Sequence, residues 1–180
     1  MTVIEVLWLL LINIVAWLII HYAVSALCFN IPLRHFLKDT AFLRIAQWER
    51  NGKMWNRLLF VKKWKGYLID GSSIAKKSYN KSRLHGWARE DLEVFAAETK
   101  RAELTHWLLM LPGPLFFLWN PSWAGWVIVT YALIANVPFI ITQRYNRGRI
   151  EAILDFRSSR GISHSGEENG GEEAASQWME

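Results

Sequence analysis

From Val3 to Phe29 the chain carries no lysine or arginine, and Glu5, Asn13 and His21 are its main polar interruptions. An unbroken apolar stretch of that length admits few folds. At 1.5 Å per residue, about 25 helical residues cover a ~30 Å hydrocarbon core with some tilt. A membrane-spanning helix is therefore expected here. A cleaved leader would need a basic n-region and a shorter apolar core, so the segment is expected to stay attached.

A second apolar region, Leu104 to Thr142, is too long for one crossing and is interrupted at Trp119-Asn120-Pro121-Ser122. Asn-Pro-Ser is turn chemistry, which predicts a helical hairpin. Its first arm contains Leu111-Pro112-Gly113-Pro114 and cannot run on as a regular helix. That arm either kinks or dips into the membrane without crossing. Trp119, Trp123 and Trp126 bracket the turn as one aromatic belt at headgroup level.

Charge sets the expected orientation. Sixteen of the 21 Lys and Arg lie between Asn30 and Ala102, and the other five follow Ile141. An outside N-terminus and about three membrane-spanning segments place all of them on the cytoplasmic side of the cell membrane. The net charge of +5 comes with no nucleic-acid-binding motif, and attraction to an anionic leaflet accounts for it. The single cysteine, Cys28, excludes an internal disulfide framework.

Between the apolar regions, Trp48, Trp55, Phe60, Trp64 and Tyr67 alternate with Lys53, Arg57, Lys62, Lys63 and Lys65. That pattern predicts an amphipathic element lying in the interface, ended by a turn at Asp70-Gly71. A second helix is expected from about Arg89, with Glu90, Asp91 and Glu93 favouring its N-terminus. The acidic, Gly-rich tail from Ser163 reads as disordered.

The expected fold is an all-α membrane protein with four regions. Residues 1–29 form the first transmembrane helix, and 30–102 a basic, aromatic-rich cytoplasmic and interfacial insert. Residues 103–149 form a helical hairpin with a Pro-broken first arm, and 150–180 a short helix and the tail.

Two clusters place costly groups against the membrane. Glu103 and His106 are i, i+3 neighbours on one helical face. A carboxylate there would orient the imidazole and make His106 a candidate general base toward a hydroxyl. On the other arm Asn136, Gln143 and Arg147 share a stripe. With the turn centred near Pro121, antiparallel arms bring His106 level with Asn136, and Glu98 level with Gln143 and Arg144. Plainer roles stand beside the catalytic one. Glu98 with Arg144 would be a structural ion pair, Asn136 an interhelical hydrogen bond, and the arginines topology anchors. His85 and Glu90 have the spacing of a His-x4-Asp acyltransferase box with Glu for Asp, in a context that lacks the rest of that fold. No His, Cys and carboxylate spacing suggests a metal site.

Several short blocks occur in a telling order. Glu98-Thr99-Lys100-Arg101-Ala102-Glu103-Leu104 and His106-Trp107 are followed by Tyr131-Ala132, Ile134-Ala135-Asn136-Val137-Pro138 and Gln143-Arg144-Tyr145-Asn146-Arg147. Gly52-Lys53, Trp55-Asn56, Val61, Lys63-Trp64-Lys65 and Asp70-Gly71 precede them. Together, from roughly Ile31 to Arg149, they closely resemble the glycosyl-4,4'-diaponeurosporenoate acyltransferase family of staphyloxanthin-type carotenoid biosynthesis. The acidic tail departs from it, and His35 and His85 stand outside the match.

The resemblance implies a bacterial membrane enzyme that esterifies the sugar of a glycosylated carotenoid with a fatty acyl chain. Its partners would be the bilayer, the lipid-linked sugar acceptor and an acyl donor, either acyl-CoA or a similar thioester. No other cofactor and no nucleic acid are expected. On that reading His106, Glu103, Glu98, Asn136 and Gln143 are the candidate catalytic set, with Asn136 and Gln143 donating to the developing oxyanion. Arg144, Tyr145, Asn146, Arg147, Arg149, Lys100, Arg101 and Trp64 are the candidate donor-binding set. Two rival functions are acyl transfer to another glycolipid or polyprenyl-linked acceptor, and a non-catalytic membrane scaffold. A chain this small has few residues with which to enclose two substrates, and a homo-oligomer would supply the missing walls.

Overall fold

The computed structural model describes residues 2–38, 40–49, 51–68 and 89–159. The expected turn at Asp70-Gly71, His85 and the acidic tail lie outside them. The described residues are helical, with no strand among them.

Helix α1, Val3–Asn30, begins with a capping box. Thr2 Oγ1 accepts from the Glu5 amide at 3.3 Å, and Glu5 Oε2 accepts from the Thr2 amide at 2.9 Å. Glu5 thus satisfies an orphan donor at the helix start. The helix ends before Ile31-Pro32, where proline disfavours further helix. Most of its large apolar side chains are exposed, as a helix facing lipid requires.

A one-turn helix α2, Arg34–Leu37, buries Phe36 with Leu43 and Ala97. The insert follows as a 3₁₀ turn, Gln47–Glu49, then α3, Lys53–Leu59, and α4, Val61–Trp64, with a closing 3₁₀ turn, Lys65–Tyr67. The sequence reading made this stretch one amphipathic element; it is broken twice. Asn51, Gly52 and Phe60 all have positive φ, which ends a helix at each place. Trp48 and Trp55 still meet edge to face, with ring centroids 5.4 Å apart. Leu58, Phe60 and Tyr67 stay exposed beside the lysines, as an interfacial element would place them.

Helix α5 spans Arg89–Met110. It stops where Pro112 and Pro114 intervene, and Gly113–Leu118 continues as 3₁₀ helix. Helix α6, Ser122–Ser159, then runs back through Pro138 without interruption. Among the described residues, two helices, α1 and α6, are long and apolar enough to cross a membrane. Helix α5 is 22 residues long but charged up to Glu103, so the expected first arm is its apolar end, Leu104 to Met110, extended by the 3₁₀ segment.

The hairpin is fastened to α1 at two levels. Near its turn, Asn13 and Asn120 exchange amide hydrogen bonds of 2.8 and 2.9 Å, and Trp119 Nε1 donates to Asn13 Oδ1 at 2.8 Å. Near its charged end, the Arg101 guanidinium lies 5.4 Å from the Phe29 ring centroid. Asn13 and Phe29 are about 24 Å apart along the α1 axis, close to the depth of a hydrocarbon core.

The C-terminal half of α6 is buried on two sides. Ala132, Asn136, Ile140, Gln143, Arg147 and Ile150 form one stripe at the helical period, while Tyr145 and Gly148 face the insert. A Cβ on Gly148 would lie 2.6 Å from the Asn51 carbonyl carbon and the Gly52 nitrogen. Both are backbone atoms, so the insert would have to move. Gly148→Ala should therefore lower the melting temperature in detergent, although alanine is favoured over glycine by about 1 kcal/mol in a helix interior.

Candidate active site

Burial of charge organises the inner end of the hairpin. Glu49, Glu103 and Arg147 are fully buried, with exposures of 0%. A buried ion persists only when it is paired and hydrogen-bonded, and here pairing is extensive. Arg144 bridges two carboxylates: its Nη2 and Nε donate to Glu49 at 2.5 and 3.0 Å, and its Nη1 to Glu103 Oε1 at 2.7 Å. Arg147 Nη2 donates to Glu103 Oε2 at 2.5 Å and to the Leu43 carbonyl at 2.7 Å. Trp107 Nε1 donates to Glu103, Trp55 Nε1 and the Ala46 amide to Glu49, and Arg144 also holds the Arg44 carbonyl. Two carboxylates and two guanidiniums thus lock α5, α6 and the insert into one body.

Burial alone would raise the Glu49 pKa, but the Arg144, Ala46 and Trp55 hydrogen bonds and the Arg144 charge together hold it below the ordinary carboxylate range. A carboxylate depressed in the folded state contributes stability above its unfolded pKa and loses it as pH falls through the lower folded value. The wild-type melting temperature should fall on acidification below about pH 4. Glu49→Gln should be less stable at neutral pH and flatter in that acid range, as read by thermal melts across pH.

Beside this lattice lies the imidazole. His106 Nδ1 is 2.9 Å from Asn136 Oδ1, and Asn136 Nδ2 donates to the Ala132 carbonyl at 2.8 Å. The second bond fixes which end of the amide faces the ring. Facing an acceptor, Nδ1 carries the proton, and the lone pair falls on Nε2. Phe139 stacks on the ring, with centroids 4.6 Å apart and planes 14° from parallel. The ring is half-buried, held from one edge and one face.

Several expected arrangements change. The hairpin brings His106 and Asn136 together, as the register required. Glu103 was expected to orient His106, but its oxygens face Arg144, Arg147 and Trp107, and Asn136 faces Nδ1 instead. Glu98 was expected level with Arg144; it pairs with Arg101 on its own helix at 2.6 Å, while Glu103, one turn further in, takes Arg144. With both ends of its amide engaged, Asn136 is a poor oxyanion donor. Gln143, buried on the same stripe, has no side-chain hydrogen bond among the described residues.

The expected donor-binding set is dispersed. Arg144 and Arg147 are neutralised by carboxylates, so a phosphate there would also meet Glu49 and Glu103. Trp64 Nε1 is bonded to the Leu59 carbonyl, and Lys100 is buried on α5. Tyr145 is buried against the Gly52 backbone, and Asn146 accepts from Lys65 Nζ at 3.0 Å. Sequence reasoning missed Glu49, Phe139 and Lys65. Glu49 had one available signal, as the lone acid between Thr40 and Ile69 in a run crowded with Lys and Arg.

Comparison with known proteins agrees with the local blocks. The family model described as glycosyl-4,4'-diaponeurosporenoate acyltransferase matches residues 38–156. A Staphylococcus haemolyticus protein of that name is 37% identical over 150 residues, covering 83% of this chain and 87% of the relative. One of the same name from Staphylococcus aureus (strain USA300) is 36% identical over 148 residues, covering 82% and 89%. No solved structure matches the chain. The matched region takes in the charge lattice and the His106–Asn136 pair alike, and the chain belongs to the glycosyl-4,4'-diaponeurosporenoate acyltransferase family, which makes it an acyltransferase.

Proposed function

We propose that this protein esterifies a sugar hydroxyl of a glycosylated carotenoid with a fatty acyl chain, at the cytoplasmic boundary of the cell membrane. The observation that carries the reading is the His106–Asn136 pair, whose tautomer leaves Nε2 as the basic nitrogen. In the reaction, Nε2 takes the hydroxyl proton as the oxygen attacks the thioester carbonyl. A C–O bond forms, Gln143 donates to the oxyanion, and collapse breaks the C–S bond. The departing thiolate takes the proton back from the imidazolium. The lattice around Glu103 supplies rigidity: it holds α5 against α6 so that the ring and the amide keep their register.

Both substrates are amphiphiles, and the boundary where polar and apolar parts of this chain meet is where they concentrate. The relatives carry the carotenoid acceptor in their name, which favours it over another glycolipid or a polyprenyl-linked sugar. The test reconstitutes the full chain in lipid discs with a glycosylated carotenoid and a fatty acyl thioester. A product heavier by one acyl group, absent without protein, supports the reading; its absence, with ester appearing on a different glycolipid, transfers the activity to that acceptor.

A further inference from the structure

Among the described residues, positive charge that no carboxylate neutralises lies one turn beyond the lattice. Lys65, in the 3₁₀ turn after α4, reaches across to α6, where Nζ donates to Asn146 Oδ1 at 3.0 Å and lies 4.7 Å from the Tyr145 ring centroid. Arg149 of α6 and Lys62 of α4 act on it with like charge. Among the described residues, neither Lys65 nor Arg149 has a carboxylate partner. An ammonium has three donors, and a neutral amide with an aromatic face compensates only part of its charge. Burial first, and then the charges of Arg149 and Lys62, lower the Lys65 pKa below that of an ordinary lysine. An arriving anion would relieve all of these costs together.

We propose that Lys65 and Arg149 bind the phosphates of a nucleotide-bearing acyl thioester, the role the sequence had suggested for Arg144, Arg147 and Arg149. The assignment rests on the acyl-transfer reading and deepens it by naming the donor class. Phosphates are held best where cations converge at the membrane surface, because they are too strongly hydrated to enter it. A donor anchored there can lay its acyl chain along the apolar hairpin, with its thioester at an intermediate depth. The phosphate of an anionic lipid headgroup carries the same chemistry, so the two sources have to be separated.

The experiment measures binding of free coenzyme A, without any acceptor, to the full chain in neutral phosphatidylcholine discs. Lys65→Met is expected to weaken binding by about tenfold or more, and Arg149→Gln, on a different element, likewise. Lys65→Arg should retain most of the affinity. With turnover established, Lys65→Met should raise KM for the thioester more than it lowers kcat. Wild-type affinity in both folded neutral variants would overturn the proposal. So would a wild-type chain that ignores coenzyme A yet binds phosphatidylglycerol through Lys65, since the headgroup would then be the occupant. Coenzyme A binding through Lys65 with no ester formed on any acceptor would keep the site and remove the acyl-transfer reading.

Discussion

Replacing Glu103 with alanine should cost about 3–5 kcal/mol and leave little folded protein, because it strands buried charge instead of merely removing a contact. Glu103 is the one carboxylate that Arg144 and Arg147 share, at 2.7 and 2.5 Å. Without it, Arg147 keeps a carbonyl and a distant carboxylate, Glu151 Oε1, at 3.9 Å from Nε. Glu103→Gln fills the same volume but cannot compensate two guanidiniums, so it should also lose several kcal/mol. The discriminating readout is the melting temperature in detergent beside the specific activity of whatever stays folded. A chemical role for Glu103 would give a stable, inactive protein. The geometry predicts an unstable one whose folded fraction retains activity.

The second large effect concerns Asn136. Its amide oxygen sets the His106 tautomer, so Asn136→Leu, similar in volume but without an acceptor, should lower kcat by about 10²-fold or more. The loss belongs to positioning, since Asn136 itself touches the Ala132 carbonyl and the ring. Two readouts separate this from a packing defect. The pH–rate profile should shift in its acid limb, where imidazole protonation shows. The double variant with His106→Ala should be no slower than His106→Ala alone, because the two act as a unit. Additive losses would mean that Asn136 acts independently of the ring.

The sequence and the fold agree where one physical signal acts alone. Hydropathy and length mark α1 from Val3, proline chemistry marks the end of α5 at Met110, and the helical period marks the buried stripe through Asn136, Gln143 and Arg147. The His106–Asn136 pairing needed only the turn position and equal arm lengths. What was not legible arises from long-range competition for charge. Two carboxylates, Glu98 and Glu103, and two arginines, Arg144 and Arg147, lie close enough along their helices to allow several pairings at equal sequence cost. The winner was decided by Glu49, which arrives from 95 residues away with a second carboxylate for Arg144. Nor does local sequence reveal that Asn51 and Phe60 turn left-handed and fold the basic insert back onto α6. That fold-back brings Lys65 to Asn146, so that the unneutralised charge sits with Lys65 and Arg149 and not with Arg144 and Arg147.

The most direct test of the account is ester formation by the His106→Gln chain in lipid discs, counted by mass spectrometry and normalised to folded protein. The lattice lies outside the substitution, so the variant should insert and melt as wild type does, while product falls by about 10²–10⁴-fold with loss of the base. Wild-type rates from a folded His106→Gln protein would contradict the account, and proton removal would have to be sought in another group at the same boundary.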